Sequence, residues 1–415
     1  MTQTLFLNEL SSEDPISTYT KSISAIVPSD CTEVILSTYT ADPDFLFSSV
    51  PHLLTIPVTF YVGDDSLVSL SKNGHIPPNV TVIKPRLPLP FGTHHSKFFI
   101  CFCPNRIVLS ITTANLVESD WSFRNQALYY QTFPTKPSSS VSTSSPTTSI
   151  TPLLDYLSFL SFPRLSLFDL YDFSSMSVVI IPSLPGVWKG SEAKKYGQLR
   201  VRDVIPSSPS HHCTLCFSSL GRVGLPFIRS MSSSFKSPDV SLVWPTVDQV
   251  RSSAMGYKSG LSLCCNNRNL NQHVISRMVK WEAPKVSSEF DKQTAIQRVF
   301  NDRARYMPHC KFFIRGNPDD VSFVLMTSHN FSTAAFGTVA ISGTQTIRSY
   351  ELGVAWISTE EVPLCCFESR NVTNCQFLPI PFHFPGSSYR SNSDQPWSWD
   401  IDHHEPDVFG ESFRV

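Results

Sequence analysis

Two short segments of this chain carry the same reactive side chains in the same order. The first reads His95-Ser96-Lys97-Phe98-Phe99-Ile100 and the second reads His309-Cys310-Lys311-Phe312-Phe313-Ile314. Each is followed by turn residues, an apolar run and a step of small or polar residues that ends in asparagine, at Asn115 and at Asn330. Each copy therefore offers an imidazole, an ammonium group and a carboxamide.

Two such sets facing each other would suit the transfer of a phosphoryl group. Lys97 and Lys311 would supply positive charge to the non-bridging oxygens, and the two asparagine amides would hold those oxygens as charge shifts in the transition state. One histidine can attack phosphorus while the other protonates the leaving oxygen. Because the lysines supply the positive charge, we expect no metal ion and no other cofactor.

The elements that position these groups follow from the spacing. Side chains alternate along an extended chain, so His95 and Lys97 share one face. The apolar run suits a buried strand that pairs back on the preceding one and brings the asparagine level with the histidine and lysine. A single His-x-Lys on an aromatic strand is most often structural. Two copies with the same hairpin and the same final asparagine make coincidence a poor explanation.

Longer motifs extend the two segments. The first is Phe91-Gly92-Thr93-His94-His95-Ser96-Lys97 with Asn115-Leu116 and Asp120-Trp121, and the second is Met307-Pro308-His309-Cys310-Lys311 with Asn330-Phe331-Ser332. Further matches are Phe217-Ser218-Ser219-Leu220-Gly221, Val243-Trp244-Pro245-Thr246-Val247, Ser349-Tyr350-Glu351-Leu352-Gly353-Val354 and Pro396-Trp397-Ser398-Trp399-Asp400. Over most of its length the chain thus resembles the phospholipase D superfamily, and within it the tyrosyl-DNA phosphodiesterases that act on DNA 3' ends.

Two kinds of departure refine this resemblance. Lipid-cleaving members of the superfamily usually carry an aspartate five positions after the lysine, where this chain has Phe102 and Gly316. That difference favours the tyrosyl-DNA branch. Within that branch, Arg222 and Thr333 stand where the family tends to have a serine and a lysine. These two changes bring individual DNA contacts into question, but not the reaction.

The resemblance implies roles for the matching catalytic residues. His95 matches the nucleophile that forms a phosphohistidine, and His309 matches the general acid that protonates the departing tyrosyl oxygen and then activates water. The phosphate-binding set is matched by Lys97, Lys311, Asn115 and Asn330. Gln126 and Glu351 match groups that orient the two imidazoles, although a surface carboxylate on an edge strand is the alternative for Glu351.

The resemblance also implies a substrate and a place of action. Phe91 resembles an aromatic residue on which a DNA base stacks, although core packing accounts for it equally well. Ser219 and Ser332 match positions near the DNA backbone. The implied partner is single- or double-stranded DNA with a topoisomerase I peptide on its 3' end, and we expect a monomer in the nucleus that does not bind membranes.

The implied fold is α/β, with two similar phospholipase D-like sandwich lobes about a pseudo-two-fold axis and the active site between them. We expect the lobes at residues 1–183 and 184–415, with a disordered Ser/Thr/Pro-rich insertion at 134–152. Strands are expected at 33–37, 55–62, 80–83, 177–181, 215–218, 240–244 and 351–357, the run at 177–181 being the last strand of the first lobe. Helices are expected at 153–171, interrupted at Pro163, and at 270–281. From Pro379 onward we expect irregular coil around the surface or a disordered tail.

Composition is compatible with this interpretation. With 415 residues, 41% of them apolar, the chain can form two domains with substantial cores. The net charge of -1 means that affinity for nucleic acid must come from a local groove. No apolar stretch approaches ~20 residues, and no basic leader with an apolar core opens the chain, so we expect neither a membrane span nor a secretion signal.

The eleven cysteines raise the question of a zinc site. In an intracellular protein they are expected to be reduced thiols. Cys213-x-x-Cys216, preceded by two histidines, invites a zinc interpretation. A structural zinc site normally has a second pair at comparable spacing, however, and the candidates are the adjacent pairs Cys264-Cys265 and Cys365-Cys366. We therefore expect no zinc.

Two alternatives to this function stay open at the level of sequence. The chain could be another phosphodiesterase of the superfamily, a nuclease or a phospholipase. It could also be an inactive scaffold that binds DNA ends, but a binding protein has no need for two histidines in this setting.

Overall fold

Two large mixed β-sheets carry the two copies of the repeated motif. The structure is a computed structural model that describes residues 2–10, 17–137, 149–206, 211–290, 294–390 and 393–415. With strands numbered in chain order, the first sheet contains β1 (Leu5–Asn8), β2 (Thr20–Lys21), β3 (Glu33–Thr38), β4 (Val58–Val62), β5 (Val80–Ile83), β6 (Phe98–Cys103), β7 (Arg106–Thr112) and β8 (Ala127–Pro134).

The second sheet belongs to the other half of the molecule, and a small third sheet lies beside it. The second contains β9 (Val179–Ser183), β11 (Cys213–Cys216), β12 (Val240–Val243), β13 (Met278–Val279), β14 (Phe312–Asn317), β15 (Asp320–Thr327), β18 (Glu351–Ile357), β19 (Leu364–Cys365) and β20 (Gln376–Phe377). The third contains β10 (Gly186–Trp188), β16 (Thr338–Val339) and β17 (Gln345–Ile347).

The strand orders show that the two lobes are topological copies. The first sheet runs β2-β1-β8-β7-β6-β3-β4-β5, and the second runs β13-β12-β11-β14-β15-β18-β9. In each, a hairpin (β6–β7, β14–β15) has an antiparallel neighbour on one side (β3, β11), and two parallel strands continue beyond it. The repeat in sequence is therefore a repeat in fold, as expected for two α/β lobes.

The hairpins bring the ends of each motif together. Phe98 pairs with Ile111 in the first hairpin, and Phe312 pairs with Met326 in the second. The ladders continue one step further, because backbone amides of β7 and β15 donate to the carbonyls of Lys97 (2.9 Å) and Lys311 (3.1 Å). The asparagine that follows each hairpin therefore lies level with the histidine and lysine that precede it.

Side-chain alternation along β6 shows how this hairpin is buried. All six residues of Phe98–Cys103 are buried. Phe98, Ile100 and Phe102 join the apolar cluster that extends into the second lobe. The alternate residues of the strand join a second cluster on the opposite face of the sheet: Phe99, Cys101 and Cys103. Burial on both faces holds the hairpin, and hence the adjacent motif, in a fixed position.

Helices and short 3-10 turns flank the sheets. The α-helices are α1 (Pro43–Ser49), α2 (Asp65–Lys72), α3 (Glu118–Ser122), α4 (Thr151–Phe159), α5 (Gly190–Ala193), α6 (Gly197–Val204), α7 (Leu225–Ser234), α8 (Val247–Arg251), α9 (Gln272–Ile275), α10 (Thr294–Ala304) and α11 (Thr333–Phe336). The 3-10 helices are Ser17–Tyr19, Ile23–Ala25, Pro51–Leu54, Leu165–Leu170, Gly256–Ser262 and Asn267–Asn269. None of the helices in the described ranges is long and apolar enough to cross a membrane.

Most of the expected elements are present, but two expectations are wrong. The helix expected over 270–281 is limited to α9, because residues Met278–Val279 instead add a parallel strand to β12. The run 177–181 was expected to close the first lobe. The strand found there, β9, pairs antiparallel with β18 at the edge of the second sheet. The first half of the chain therefore contributes a strand to the second lobe.

Two segments were expected to lack regular structure: the Ser/Thr/Pro-rich stretch and the chain from Pro379 onward. Of the Ser/Thr/Pro-rich stretch 134–152, residues 138–148 lie outside the described residues, whereas Ile150 is buried and α4 begins at Thr151. From Pro379 onward the described residues form no helix or strand. This segment is nevertheless packed, since Trp397 is fully buried and its carbonyl accepts from Trp244 Nε1 (2.9 Å). The irregular coil around the surface is confirmed.

The cysteines depart from expectation at one pair. Cys365 and Cys375 are joined by a disulfide, with their Cα atoms 5.9 Å apart, so the expectation of eleven reduced thiols is wrong for these two. Cys213 and Cys216 are both buried on β11 and face opposite sides of the sheet. Within the described ranges, no three His, Cys, Asp or Glu side chains are grouped so as to hold a metal ion.

Candidate active site

One open cavity lies between the two lobes, with a volume of about 450 Å³. Both repeated histidines and both repeated asparagines line it, together with Glu351. Lys97, Lys311 and Gln126 are fully buried behind them. The structure therefore brings the two motifs, more than 200 residues apart in the chain, to a single site.

The orientation of His95 is fixed from the second lobe. Its Nδ1 lies 3.0 Å from Oε2 of Glu351 and 3.1 Å from the carbonyl oxygen of Ser328. The Ser328 hydroxyl donates to the same carboxylate oxygen at 2.5 Å. Both neighbours of Nδ1 are acceptors, so Nδ1 carries the proton and the lone pair is on Nε2. The imidazole is therefore prepared to act as a nucleophile through Nε2.

The charge of this pair agrees with that role. Burial lowers the pKa of His95, and Glu351 only partly offsets the effect. Burial alone would raise the pKa of Glu351, but the charge and hydrogen bond of His95 keep it below its usual value. At neutral pH the pair is thus a neutral imidazole beside a carboxylate, and the carboxylate can stabilise positive charge that develops on the ring.

The orientation of His309 is fixed from the first lobe. Its Nδ1 lies 2.9 Å from Nε2 and 3.3 Å from Oε1 of Gln126, and 3.3 Å from Oδ2 of Asp120. The Thr113 hydroxyl donates to Gln126 Oε1 at 2.7 Å, which leaves the amide nitrogen of Gln126 to donate to Nδ1. Nδ1 thus has a donor for its neutral state and acceptors for its protonated state. This arrangement suits a residue that gains and loses a proton during a reaction.

The two asparagines differ in what they present to the cavity. Asn330 Oδ1 accepts from the backbone amides of Ser219 (3.0 Å) and Ser218 (3.2 Å), so its amide nitrogen is left for a ligand. Asn115 instead donates Nδ2 to Asp120 at 3.0 Å, and its buried Oδ1 has no hydrogen-bond partner. The two asparagines are therefore not equivalent, because Asp120 takes up one hydrogen of the Asn115 amide and leaves the other.

The two lysines form a cationic floor beneath the histidines. Lys97 Nζ donates to the carbonyl of His95 at 2.6 Å, and Lys311 Nζ donates to that of His309. Burial, followed by repulsion from Lys311, lowers the pKa of Lys97 to about 7, and burial lowers that of Lys311 to about 8. Glu351 and Asp120 offset this lowering only in part, and the two buried lysines favour the binding of an anion between them.

The residues expected to contact substrate lie on the rim of the cavity. Phe91 is 91% exposed and adopts a left-handed backbone conformation with φ of 61°, so core packing does not account for it. Ser332 caps α11 by accepting from the Ala335 amide at 3.2 Å. Ser219 acts on Asn330 through its backbone, as described above. All three expected substrate contacts therefore line the same cavity.

Several residues at the site were not assigned by the sequence. Asp120 is completely buried and accepts from both the backbone and the side chain of Asn115. It was recognised as part of a motif but given no role. Ser328 holds Glu351, and the ring of Tyr39 lies 5.8 Å from that of His95. Asp120 lies on α3, and Ser328 and Tyr39 follow directly after β15 and β3. Their contacts with His309, Glu351 and His95 form only in the folded molecule, so local spacing gives no signal for them.

Two further histidines are buried beside the site but have a structural role. His94 Nε2 lies 2.7 Å from Ser37 Oγ, and His329 Nε2 lies 2.8 Å from Ser183 Oγ. Each serine donates its own hydrogen to a backbone carbonyl, so it must accept from the imidazole. Burial lowers the pKa of His94 to about 3 and that of His329 to about 4. Both rings stay neutral and connect neighbouring backbone segments.

Comparisons with known proteins agree with this geometry. A family model described as tyrosyl-DNA phosphodiesterase matches residues 7–390. Tyrosyl-DNA phosphodiesterase 1 of Arabidopsis thaliana is 29% identical over 94% of this chain and 73% of its own length. A probable tyrosyl-DNA phosphodiesterase of Caenorhabditis elegans is also 29% identical, over 89% of this chain and 82% of its own.

The same family name appears among solved structures. The crystal structure of the yeast tyrosyl-DNA phosphodiesterase superposes with a TM-score of 0.70 and covers 95% of this chain and 100% of its own. At 16% identity this likeness concerns the fold. It confirms the expected fold class.

Proposed function

Since this chain belongs to the tyrosyl-DNA phosphodiesterase family, we propose that it hydrolyses the 3'-phosphotyrosyl bond between DNA and a topoisomerase I peptide, and other adducts that block 3' ends. One observation supports this most strongly. Two imidazoles share a cavity beside two buried lysines, and their Nδ1 atoms have different neighbours. That of His95 faces the carboxylate of Glu351, and that of His309 faces the amide of Gln126. A nucleophile and a general acid on either side of a bound phosphate need this arrangement.

In the first step His95 Nε2 attacks phosphorus in line with the bond to the tyrosyl oxygen. The P–N bond forms and the P–O bond to tyrosine breaks, with the electron pair leaving on the phenolic oxygen. Burial and then the charge of Lys311 lower the pKa of His309, and a bound phosphate opposes this lowering and favours the protonated ring. His309 then gives its Nε2 proton to the phenolic oxygen, so the peptide departs as a neutral phenol. Glu351 stabilises the positive charge that remains on the ring of the phosphohistidine.

In the second step water attacks the phosphohistidine. His309 is now neutral and takes a proton from the water, the P–O bond forms and the P–N bond breaks. The electron pair of that bond returns to His95 Nε2. The products are DNA with a 3'-phosphate and the enzyme in its starting state. While His309 gives and takes protons at Nε2, its Nδ1 keeps a proton, and Asp120 Oδ2 and Gln126 Oε1 are the acceptors near that atom.

The phosphate is held from two sides during both steps. Lys97 and Lys311 supply charge from below, and Asn330 supplies a directed amide hydrogen. When a phosphate binds, it favours the protonated lysines and so opposes the lowering of their pKa values by burial. Asn115 contributes its remaining amide hydrogen or its unpartnered oxygen.

The DNA strand follows the rim that carries Phe91, Ser219 and Ser332. The exposed ring of Phe91 offers a stacking surface for a base, a contact worth roughly 1 to 3 kcal/mol. We propose that the chain acts in the nucleus, because its substrate is DNA, and that it acts as a monomer. Imaging of the tagged full chain and light scattering in solution test these two statements.

Adduct trapping tests the proposed chemistry. A labelled 3'-phosphotyrosyl oligonucleotide is incubated with wild type, His95→Ala and His309→Asn, with His75→Ala as a control at an exposed histidine. We expect His95→Ala to form no covalent adduct. His309→Asn should accumulate protein-linked DNA, because the second step loses its base.

The opposite pattern, with adduct in His95→Ala only, would reverse the two roles. Absence of cleavage by wild type, together with turnover of phosphatidylcholine or of an unmodified oligonucleotide, would instead identify a phospholipase or a nuclease. Mass spectrometry of the trapped adduct identifies the modified histidine directly.

A further inference from the structure

Arg124 lines the cavity, and its guanidinium is held through Nη1. Its Nη1 donates to Asp120 Oδ1 at 2.5 Å and to the Ser119 hydroxyl at 3.1 Å. Its Nε and Nη2 make no hydrogen bond or ion pair within the described part of the chain, and 18% of the side chain is exposed. The guanidinium is thus held in place with donors left for a ligand.

The position of Arg124 relates it to His309. Its anchor, Asp120, lies 3.3 Å from Nδ1 of that imidazole. Burial, then the charge of Lys311 and then that of Arg124 lower the pKa of His309. Leu261, which is 55% exposed, and Cys264 line the cavity with it. Charge and apolar surface therefore occur together on this part of the wall.

An in-line displacement places the leaving group opposite the nucleophile. The attacking atom belongs to His95, so the departing oxygen lies toward the acid His309. Arg124 lines the same cavity, and Asp120 links it to His309 and not to His95. We infer that Arg124 recognises the leaving group and favours an aryl oxide, the tyrosyl side chain of a peptide, through its planar guanidinium. This inference rests on the proposed function and adds a specificity-determining residue to it.

The chemistry of the guanidinium suits this task better than that of the lysines. It stays charged at every working pH, stacks on aromatic rings and donates to oxygen in a planar array. The two lysines lie beneath the phosphate, and their low pKa values make their charge dependent on pH and ligand. Arg124 thus gives a constant positive charge beside the phenolic oxygen as negative charge develops there.

The test compares two leaving groups on one DNA strand. One oligonucleotide carries 3'-phosphotyrosine, and the other carries a 3'-(4-nitrophenyl) phosphate, whose leaving oxygen is already stable as an anion. Adduct formation is measured in single turnovers for wild type, Arg124→Gln and Arg124→Lys. The matched control is Arg164→Gln, which removes a surface arginine paired with Glu33.

We expect Arg124→Gln to slow adduct formation from the tyrosyl substrate by about 10- to 100-fold and from the nitrophenyl substrate by less than about 3-fold. Hydrolysis of the preformed adduct should be unchanged, since the leaving group has gone. Arg124→Lys retains a charge beside Asp120 but loses the planar fork. It should show the same selectivity with about 3- to 10-fold loss, even if Arg124→Gln fails to fold.

Equal loss on both substrates would overturn the inference, because Arg124 would then not act on the leaving group. Slower hydrolysis of the preformed adduct would overturn it too, because Arg124 would then act only by supporting Asp120 and His309. Unchanged rates on the tyrosyl substrate would overturn it as well. Failure of the wild type on the tyrosyl substrate would instead refute the proposed function, so the two failures are distinguishable.

Discussion

Replacement of Glu351 by glutamine tests how the nucleophile is prepared. The substitution preserves shape but removes the negative charge 3.0 Å from His95 Nδ1. The side chains of the histidine and the carboxylate are 14% and 4% exposed, so water screens the pair poorly. As His95 attacks phosphorus, its ring becomes positive, and the glutamine variant must form that charge without a counter-charge.

The expected loss of rate follows from the distance between the His95 ring and the Glu351 carboxylate. Unit charges about 4 Å apart at an effective dielectric constant of about 20 interact with about 4 kcal/mol. If roughly half of the ring charge has developed in the transition state, the loss is about 2 kcal/mol, or about 30-fold in rate. This lies within the about 10- to 100-fold range typical of groups that orient a reactive histidine.

The assay is single-turnover formation of the covalent adduct from the 3'-phosphotyrosyl oligonucleotide, followed across pH. The matched control is Ser328→Ala, which removes the hydroxyl that donates to Glu351 at 2.5 Å and leaves the charge in place. Loss of one such hydrogen bond should cost about 1 kcal/mol, or about 5-fold. Thermal unfolding of both variants checks that the fold is intact.

The dependence of the rate on pH provides a second test, because the direction in which it shifts can be predicted. Burial lowers the pKa of His95 and Glu351 raises it, so the glutamine variant should have an even lower pKa at His95. Attack requires the neutral ring, and therefore the acid limb of the rate profile should move to lower pH. A loss smaller than about 3-fold, or an acid limb that moves upward, would refute the idea that Glu351 stabilises charge on His95.

Two further predictions concern the lysines. Because Lys97 and Lys311 provide the positive charge for the phosphate, activity should survive EDTA, and complete loss with the chelator would contradict this mechanism. The pKa of Lys97 falls to about 7 on burial, so the unfolded chain binds more protons between about pH 7 and 10 and stability should rise with pH in that window. Lys97→Met should therefore raise the free energy of unfolding at pH 7 by about 2 to 4 kcal/mol and by less near pH 10; chemical denaturation measures this, and an unchanged or lower value would disprove it.

The repeated residues were predictable from sequence because local spacing determines their relation. His95 and Lys97 are separated by one residue on an extended chain, and the apolar run after them determines where the hairpin brings Asn115. The second copy follows the same rules. The two copies share one cavity because the two lobes pack against each other. In the sequence, only the repetition of the motif indicated that this would happen.

Other features depend on contacts that no local pattern encodes. Asp120 contacts His309, and Ser328 contacts Glu351, only after distant parts of the chain have packed together. Arg124 is connected to His309 only through Asp120. The local sequence predicts a strand at Val179–Ser183. It does not show that this strand pairs with Glu351–Ile357, which lies far along the chain. Residues 270–281 have an apolar content that suits a helix. Two of them, Met278 and Val279, instead form a strand because they pair with β12, which lies earlier in the chain.

Each imidazole is oriented by the opposite lobe. His95 depends on Glu351 of the second lobe, and His309 depends on Gln126 and Asp120 of the first. A nascent chain that has emerged only in part, or one whose halves have come apart, holds neither ring in a reactive pose. In the proposed mechanism, reactivity toward DNA is thus coupled to completed folding, and a half-folded molecule does not form a covalent adduct with a DNA 3' end.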